Sequence, residues 1–387
     1  MNILKKCSFL LLGIIAVLAC SSDPDTVSPG PDGNGNGGGT EPDPDVETVE
    51  YRAQVWVDKA DLAHYGGERV FKNNLKKLFR NTTRFWNESP NKFKYYFSFV
   101  PGEDLHIYDI QGNKANYDKY KNEAFGDLDI TKYDFVLFFA LDVDKGKGGL
   151  SCGGGGKSGQ SVVMAYLEKS TNIFTDAEYP MKGTYSNLGH EYGHVRGAQD
   201  IYQYKISAES NRVSREAFIP PACNMGTGYR VWSDYCSAVF NYTAHQKQLE
   251  KDWRRKTFPD KLLVRVTKGG QPLNHVKVNF WGTRAGGYFG GPDVYDAEGN
   301  SPFLKKTTNN NGELTISNVY EMYHPNSGTP NIPPKSPKDE FPYSRWYCFL
   351  VEIIDGSTKK YVWLSDLDIC ADHLSTSKDT YTLEVAL

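Results

Sequence analysis

"LGHEYGHVRGAQD", Leu188 to Asp200, decides how the rest of this chain is read. On an α-helix, residues four apart lie one above the other on the same face. His190 and His194 can therefore present two imidazole nitrogens to a single ion about 2.0–2.1 Å away. Glu191 sits beside them, displaced around the helix, off the ion but placed to contact a water as general base. A catalytic zinc takes three protein ligands and keeps a fourth position open. Three residues past His194 stands Gly197, able to adopt positive φ and end the helix in a sharp turn. That turn would swing Asp200, three residues further on, back toward the same ion as third ligand. A bare H-E-x-x-H arises by chance in about one chain in a hundred, and the longer H-E-x-x-H-x-x-G-x-x-D in about one in ten thousand. The expectation is one Zn2+ per chain held by His190, His194 and Asp200. The competing readings are a solvated helix with coincident histidines and, for Asp200, an outer carboxylate that orients one of them.

Upstream of this helix the texture is globular from Val49. "EYRAQVWV" alternates like a strand, and "GGERVFKNNLKKLFRNTTRFWN" carries Val70, Leu75, Leu78 and Phe85 at helical spacing. "FKYYFSFV" and "YDFVLFFALD" read as strands, and the second is nearly continuous in apolar residues, as a strand buried on both faces is. A glycine-dense loop, "GKGGLSCGGGGK", follows at 146–157 and leads into a short strand at "SVVMAYL". It lacks the Lys-Ser/Thr ending and helix of a phosphate loop. A helix-like run from Ser233 to about Trp253 closes this region, 49–258. His64, His106, His245, His275, His324 and His373 show no ligand spacing and read as structural or surface residues.

A second texture occupies 259–387. "KLLVRVTKGGQPLNHVKVNFWG" reads as two strands around a Gly-Gly turn, and "TTNNNGELTISNV", "WYCFLVEIID", "KKYVWL" and "TYTLEVAL" as further short strands with no convincing helix. Regular strands separated by turn signals suggest an antiparallel β-sandwich. G-x-P-L-x-x-V-x-V followed by T-x-x-x-G resembles the immunoglobulin-like or transthyretin-like modules of bacterial surface enzymes. Such a module could bind glycan or protein, or brace its neighbour.

At the N-terminus, Lys5 and Lys6 precede an apolar run from Phe9 to Leu18, too short to span a bilayer permanently. The run ends in "VLAC", Val17 to Cys20, which resembles the lipobox of bacterial lipoproteins. The resemblance implies a signal peptide over 1–19, cleavage before Cys20 and lipid on its sulfur, enough acyl chains for stable membrane anchoring. The segment 20–48 is rich in Gly, Pro, Asp and Ser and reads as a flexible tether. Its acidic start resembles the surface-export signal of lipoproteins in the Bacteroidetes, implying an outer-membrane lipoprotein displayed at the cell surface. Of the seven cysteines, Cys152, Cys223, Cys236, Cys348 and Cys370 remain after the leader and the lipid. Closeness in sequence suggests Cys223 with Cys236 and Cys348 with Cys370, with Cys152 odd or replacing a member of the first pair.

Taken together, the zinc motif resembles that of the metzincin clan of zinc metallopeptidases, in the branch with aspartate as third ligand. The resemblance covers about 49–258 and implies an α+β fold. Its elements are a twisted mixed sheet, a backing helix, an active-site helix and a methionine turn beneath the zinc, for which Met225 in "PACNMGTGY" is the candidate. An extended substrate would then add to an edge strand near Ser161–Leu167. Two features depart from the commonest pattern: a carboxylate is the third ligand, and Thr227 stands where many members carry an oxyanion-binding tyrosine. Tyr229 is the nearest substitute. Asp200-Ile201-Tyr202 resembles the D-x-Y of secreted peptidases that include immunoglobulin A peptidase and immune-inhibitor families, without choosing among them.

The function implied is an envelope-anchored metalloendopeptidase acting on protein or peptide, with Glu191 as base. The alternatives are a surface binding protein or adhesin on a non-catalytic metal domain, and an enzyme of self-processing or export-linked maturation. The formal charge of −3 argues against nucleic acid as partner, since phosphate binding requires a concentrated basic surface.

Overall fold

The computed structural model describes residues 44–141, 149–153, 161–166, 174, 184–226, 230–284, 293–294, 301–325 and 345–387. The leader, Cys20, nearly all of the tether, Thr227 and Tyr229 lie outside these residues. Cys152 is described in its backbone only. The architecture is mixed, with helices and several sheets, as an α+β chain requires.

The first half contributes β1 (Thr48–Asp58), α1 (Lys59–His64), α2 (Glu68–Glu88), β2 (Tyr96–Tyr108), α3 (Lys114–Gly126), β3 (Phe135–Leu141), β4 (Gly149–Gly153) and β5 (Ser161–Tyr166). The five strands form one sheet in the order β2-β1-β3-β5-β4. β3 is parallel to both β1 and β5, and Phe135 to Ala140 are all buried. Its unbroken apolar run is what a central strand covered on both faces needs. β4 is antiparallel to β5 and forms the edge. This corrects the placing of the edge at Ser161–Leu167: Gly149–Gly153, within the glycine-dense stretch before it, form a strand, so β5 is paired on both sides. A peptide strand added at this end would have to pair with β4.

Helix α2 buries Phe71, Leu75, Leu78, Phe79, Phe85 and Trp86, spaced by three and four as one face of a helix demands. α3 was not signalled by amphipathic periodicity. It is started by Asn113, whose side chain accepts from the backbone N–H groups of Ala115 and Asn116, and it buries Tyr117, Ala124 and Phe125.

Next come α4 (Thr184–Val195), the helix of the opening motif, and α5 (Asp234–Thr243). α5 ends ten residues short of Trp253. Its start is fixed by the Ser233 side chain accepting from Cys236 N–H.

The C-terminal region holds β6 (Lys261–Lys268), β7 (Gln271–Pro272), β8 (Lys277–Arg284), β9 (Asp293–Val294), β10 (Leu304–Thr307), β11 (Glu313–Ser317), α6 (Val319–Tyr323), β12 (Cys348–Asp355), β13 (Thr358–Ser365), α7 (Asp366–Thr376) and β14 (Thr380–Ala386). One sheet runs β10-β8-β12-β13 and the other β11-β6-β14. Three features differ from the expected all-β antiparallel sandwich, the first being the short helix α6 after β11. α7 intervenes between β13 and β14, capped by Ser365, whose hydroxyl accepts from Leu367 N–H. β14, which follows α7, pairs in parallel with β6.

By internal contacts the chain divides into two compact units. One comprises Ala53–Leu75 and Pro101–Asp176; the other comprises Gly39–Arg52, Lys76–Val100 and Ala177–Leu387. The motif helix and the whole C-terminal region belong to the second.

Candidate metal centre

Helix α4 carries two glycines that a helix would ordinarily avoid at about 1 kcal/mol each. Both are demanded by close packing. A Cβ on Gly189 would stand 2.9 Å from the Phe85 ring, and the Gly189 carbonyl accepts from Trp86 Nε1 at 3.1 Å. A Cβ on Gly193 would stand 2.4 Å from the Met225 sulfur. Met225 is fully buried and fills the notch beside Gly193, on the helix turn that carries His190 and His194. Met225, the candidate for the methionine turn, thus packs directly against α4.

Each histidine is oriented by its own backbone carbonyl. His190 Nδ1 lies 2.8 Å from Asn224 O, and His194 Nδ1 lies 3.0 Å from Ala198 O. A carbonyl only accepts, so both Nδ1 atoms carry hydrogen and both Nε2 atoms are left for a ligand. Both point at Asp200. Its Oδ1 is 3.2 Å from His190 Nε2 and 3.0 Å from His194 Nε2. One ligand atom from each of His190, His194 and Asp200 lies within 4.8 Å of the others, the one such trio among the described residues.

The turn that brings Asp200 back is built as the spacing implied. Arg196 N–H bonds to Tyr192 O, Gly197 N–H to His194 O and Ala198 N–H to Gly193 O. Gly197 has φ +93, and a Cβ there would lie 2.5 Å from the Trp253 ring. Beyond Asp200, Ile201 N–H donates to Met225 O at 2.7 Å, fastening the Asp200 loop to the Met225 segment.

Burial and charge act against each other in this cluster. Burial alone would lower the pKa of His194, but the Asp200 carboxylate at its Nε2 outweighs this and raises it to about 9. His190 is raised in the same way against the same burial. Burial would raise the Asp200 carboxyl, yet the two imidazoles hold it well below the usual carboxylate range. Glu191 is 7% exposed, and its charge adds to the raising of both histidines. The donor set fits a divalent cation such as zinc. Two imidazole nitrogens and a carboxylate converge, and Asp200 Oδ1 is buried without a hydrogen bond in line although two imidazoles flank it.

The sequence did not single out the residues that hold this centre. Asn224 contributes its carbonyl, which no side-chain pattern reveals. Arg196 is fully buried, donates through Nη2 to Thr243 O and to Gln246 O, and lies with its guanidinium 4.2 Å from the Tyr51 ring centre. Tyr51 Oη in turn donates to Ala244 O at 2.8 Å. Arg196 therefore joins the end of α4 to the end of α5, where carbonyls lack helical partners. An arginine two residues after the second histidine, in an otherwise apolar setting, is the signal that could have marked it.

Cys223 and Cys236 stand with sulfurs 3.4 Å apart, both buried and both as thiols. Cys348 and Cys370 are also separate buried thiols, which corrects the expectation that they pair. Nearness in sequence was a poor guide there, because Cys348 opens β12 and Cys370 lies within α7. Cys370 has Thr257 Oγ1 as its neighbour at 3.6 Å.

No family model matches the chain, and no curated protein matches it. Among solved structures, one described as the structure of a chaperone–substrate complex is similar over 52% of this chain and 35% of its own, at 11% identity and a TM-score of 0.29. The chain spans about a third of that protein's length, and a likeness of that size carries no argument about fold or function.

Proposed function

We propose that the protein is a zinc-dependent metalloendopeptidase, anchored to the bacterial envelope through Cys20 and cleaving peptide bonds of extracellular proteins. The observation that carries this reading is the convergence of His190 Nε2, His194 Nε2 and Asp200 Oδ1, with Glu191 one residue along the same helix. A purely structural zinc site closes its coordination with a fourth protein ligand; here three are gathered. The buried methionine beneath α4 and the mixed five-stranded sheet support the metzincin-like assignment of the region 49–258.

When bound, zinc supplies Lewis acidity to the scissile carbonyl and lowers the pKa of a water toward about 7. The chain's own groups do the rest. His190 and His194, fixed by Asn224 O and Ala198 O, keep their Nε2 lone pairs directed to one point. Asp200 adds the negative charge that balances part of the cation. Glu191, largely shielded from solvent, accepts the water's proton and returns it to the leaving amine nitrogen.

The test uses the chain from Ser21 onward. Zinc content and cleavage of a peptide library are measured for wild type and Glu191→Ala. One zinc per chain in both, with cleavage in wild type and a loss of a hundredfold or more in the variant, supports the reading. A wild type without zinc sinks it.

A further inference from the structure

The loop that delivers Asp200 is held at both ends, and only the first end belongs to the zinc motif. Directly after Asp200 the chain makes a single 3-10 turn, Ile201–Tyr204, in which Ile201 and Tyr204 are fully buried. The Ile201 end rests on the methionine turn: its N–H bonds to Met225 O, and a Cβ on Gly226 would stand 3.1 Å from Ile201 Cβ. The Tyr204 end is gripped from the C-terminal region. Tyr347 Oη donates to Gln203 Oε1 at 3.1 Å, and its ring meets the Tyr204 ring edge-on at 5.0 Å. Arg345 Nη2 donates to Tyr204 Oη at 3.4 Å while its Nη1 pairs with Asp366 Oδ2 at 3.2 Å. The guanidinium lies 4.2 Å from the Tyr347 ring centre. Arg345 and Asp366 side chains are 13% and 0% exposed.

A buried ion pair is a poor way to gain stability, because desolvating both charges offsets their attraction, and apolar residues of similar volume hold two parts together as well. What such a pair supplies is direction, and arginine's planar fork supplies more of it than lysine. Here the fork reaches a tyrosine four residues past a metal ligand. Ligand atoms must stand within about 0.2 Å of their ideal distances, and a one-turn helix transmits displacement stiffly over so few residues.

We propose that Arg345, fixed by Asp366 and flanked by Tyr347, is a positioning residue for the metal centre, setting the Asp200 carboxylate through Tyr204. On this assignment the C-terminal region completes the site and is more than an appended binding module. The inference rests on the metal-site reading above.

The test measures zinc affinity by chelator competition on the full chain. It also records the visible absorption of the cobalt(II)-substituted protein, whose band shape and intensity report coordination geometry. The variants are Arg345→Lys, Tyr204→Phe and Tyr347→Phe, with Leu314→Ala on β11 as a control that loses stability away from the loop. Arg345→Lys and Tyr204→Phe are each expected to weaken zinc binding about tenfold and to alter the cobalt spectrum. Leu314→Ala should keep wild-type affinity and spectrum despite an equal or larger drop in denaturant midpoint. If Arg345→Lys fails to fold, the two Tyr→Phe variants, which remove one oxygen each, carry the test. Wild-type affinity and spectrum in the folded position variants would overturn the inference while leaving the metal site standing. Absence of zinc from wild type would overturn both.

Discussion

Gly197 is constrained twice over. Its φ of +93 is strained for any other residue, and the Trp253 ring occupies the space a Cβ needs. Gly197→Ala is therefore expected to lower stability by about 2 kcal/mol or more and to weaken zinc binding about tenfold, because the turn it distorts delivers Asp200. Denaturant midpoints of the metal-free protein and chelator competition check the two effects separately. The titration of the trio gives a second expectation. In the metal-free protein His194 is raised from 6.5 to about 9, so its contribution to stability is full below pH 6.5 and is lost as pH rises through about 9. Asp200 is lowered from 3.8, so its contribution is present above 3.8 and is lost as pH falls further. The pair stabilises the empty site most between about pH 3.8 and 6.5. On the proposed reading, zinc would have to displace the His194 proton. Its affinity should rise with pH up to about 9, and binding at neutral pH should release protons, seen as a buffer-dependent heat in calorimetry. An affinity flat between pH 6 and 9 would contradict this. The motif residues were legible because three- and four-residue spacings translate directly into one helix face and one turn. Asn224 and Arg196 were not, since one acts through a backbone carbonyl and the other through burial.

Among the elements, the segment between Asp200 and α5 bears on the candidate centre most directly. Cys223 precedes Asn224 and Met225, and it faces Cys236 in the first turn of α5. Burial would raise the Cys223 thiol, but hydrogen bonds from Cys236 and from the Ser233 backbone bring it down to about 6, whereas burial pushes Cys236 up. A thiolate beside a thiol is poised for oxidation. Exposure of the protein to a disulfide oxidant is expected to join these two cysteines, lowering the mass by two hydrogens and blocking both from alkylation until reduced. Peptide mapping that found Cys223 and Cys236 separately alkylated after oxidation would count against it. Here closeness in sequence pointed to neighbours but not to the expected disulfide, since Cys223 and Cys236 stand as thiols with their sulfurs 3.4 Å apart. It misled for Cys348 and Cys370. The strand readings of β1, β2 and β3 followed from alternation and from an unbroken apolar run. The helices α3 and α7 escaped because caps, rather than amphipathic stripes, define them: Asn113 for the first and Ser365 with Asp366 and Asp368 for the second. Extending α5 to Trp253 overlooked that its last turn is closed early, with the one Thr243 hydroxyl hydrogen shared between Val239 O and Arg196 O.

For the whole molecule, residues on either side of position 258 share one core. Phe218 packs against Trp363 at 5.5 Å, and Val213 joins the cluster of Trp281, Leu350, Tyr361 and Trp363. A chain ending at Phe258 would expose these side chains along with Tyr204. It is expected to be aggregation-prone or poorly folded, with zinc affinity at least tenfold below the full chain. Solubility, circular dichroism and chelator competition check this, and a truncated protein binding zinc like the full chain would show that the two halves are energetically separate. The change of texture near Pro259 marked where one pattern of elements gives way to another. It could not show that loop residues 203–218 are shared, because those contacts are made by residues with no periodicity of their own.

The hydrogen bond from Tyr51 to Ala244 joins positions 193 residues apart. Bringing such distant points together costs on the order of 5 kcal/mol of chain entropy before anything is gained from the contact. Arg196, lying on Tyr51 and bound to the carbonyl beside Ala244, completes only when both have arrived. Assembly of this part is therefore a late and concerted event in folding. An emerging chain that has exposed β1 must keep its first strand waiting until α5 has been made, so the folding rate is set by topology and not by local helix formation.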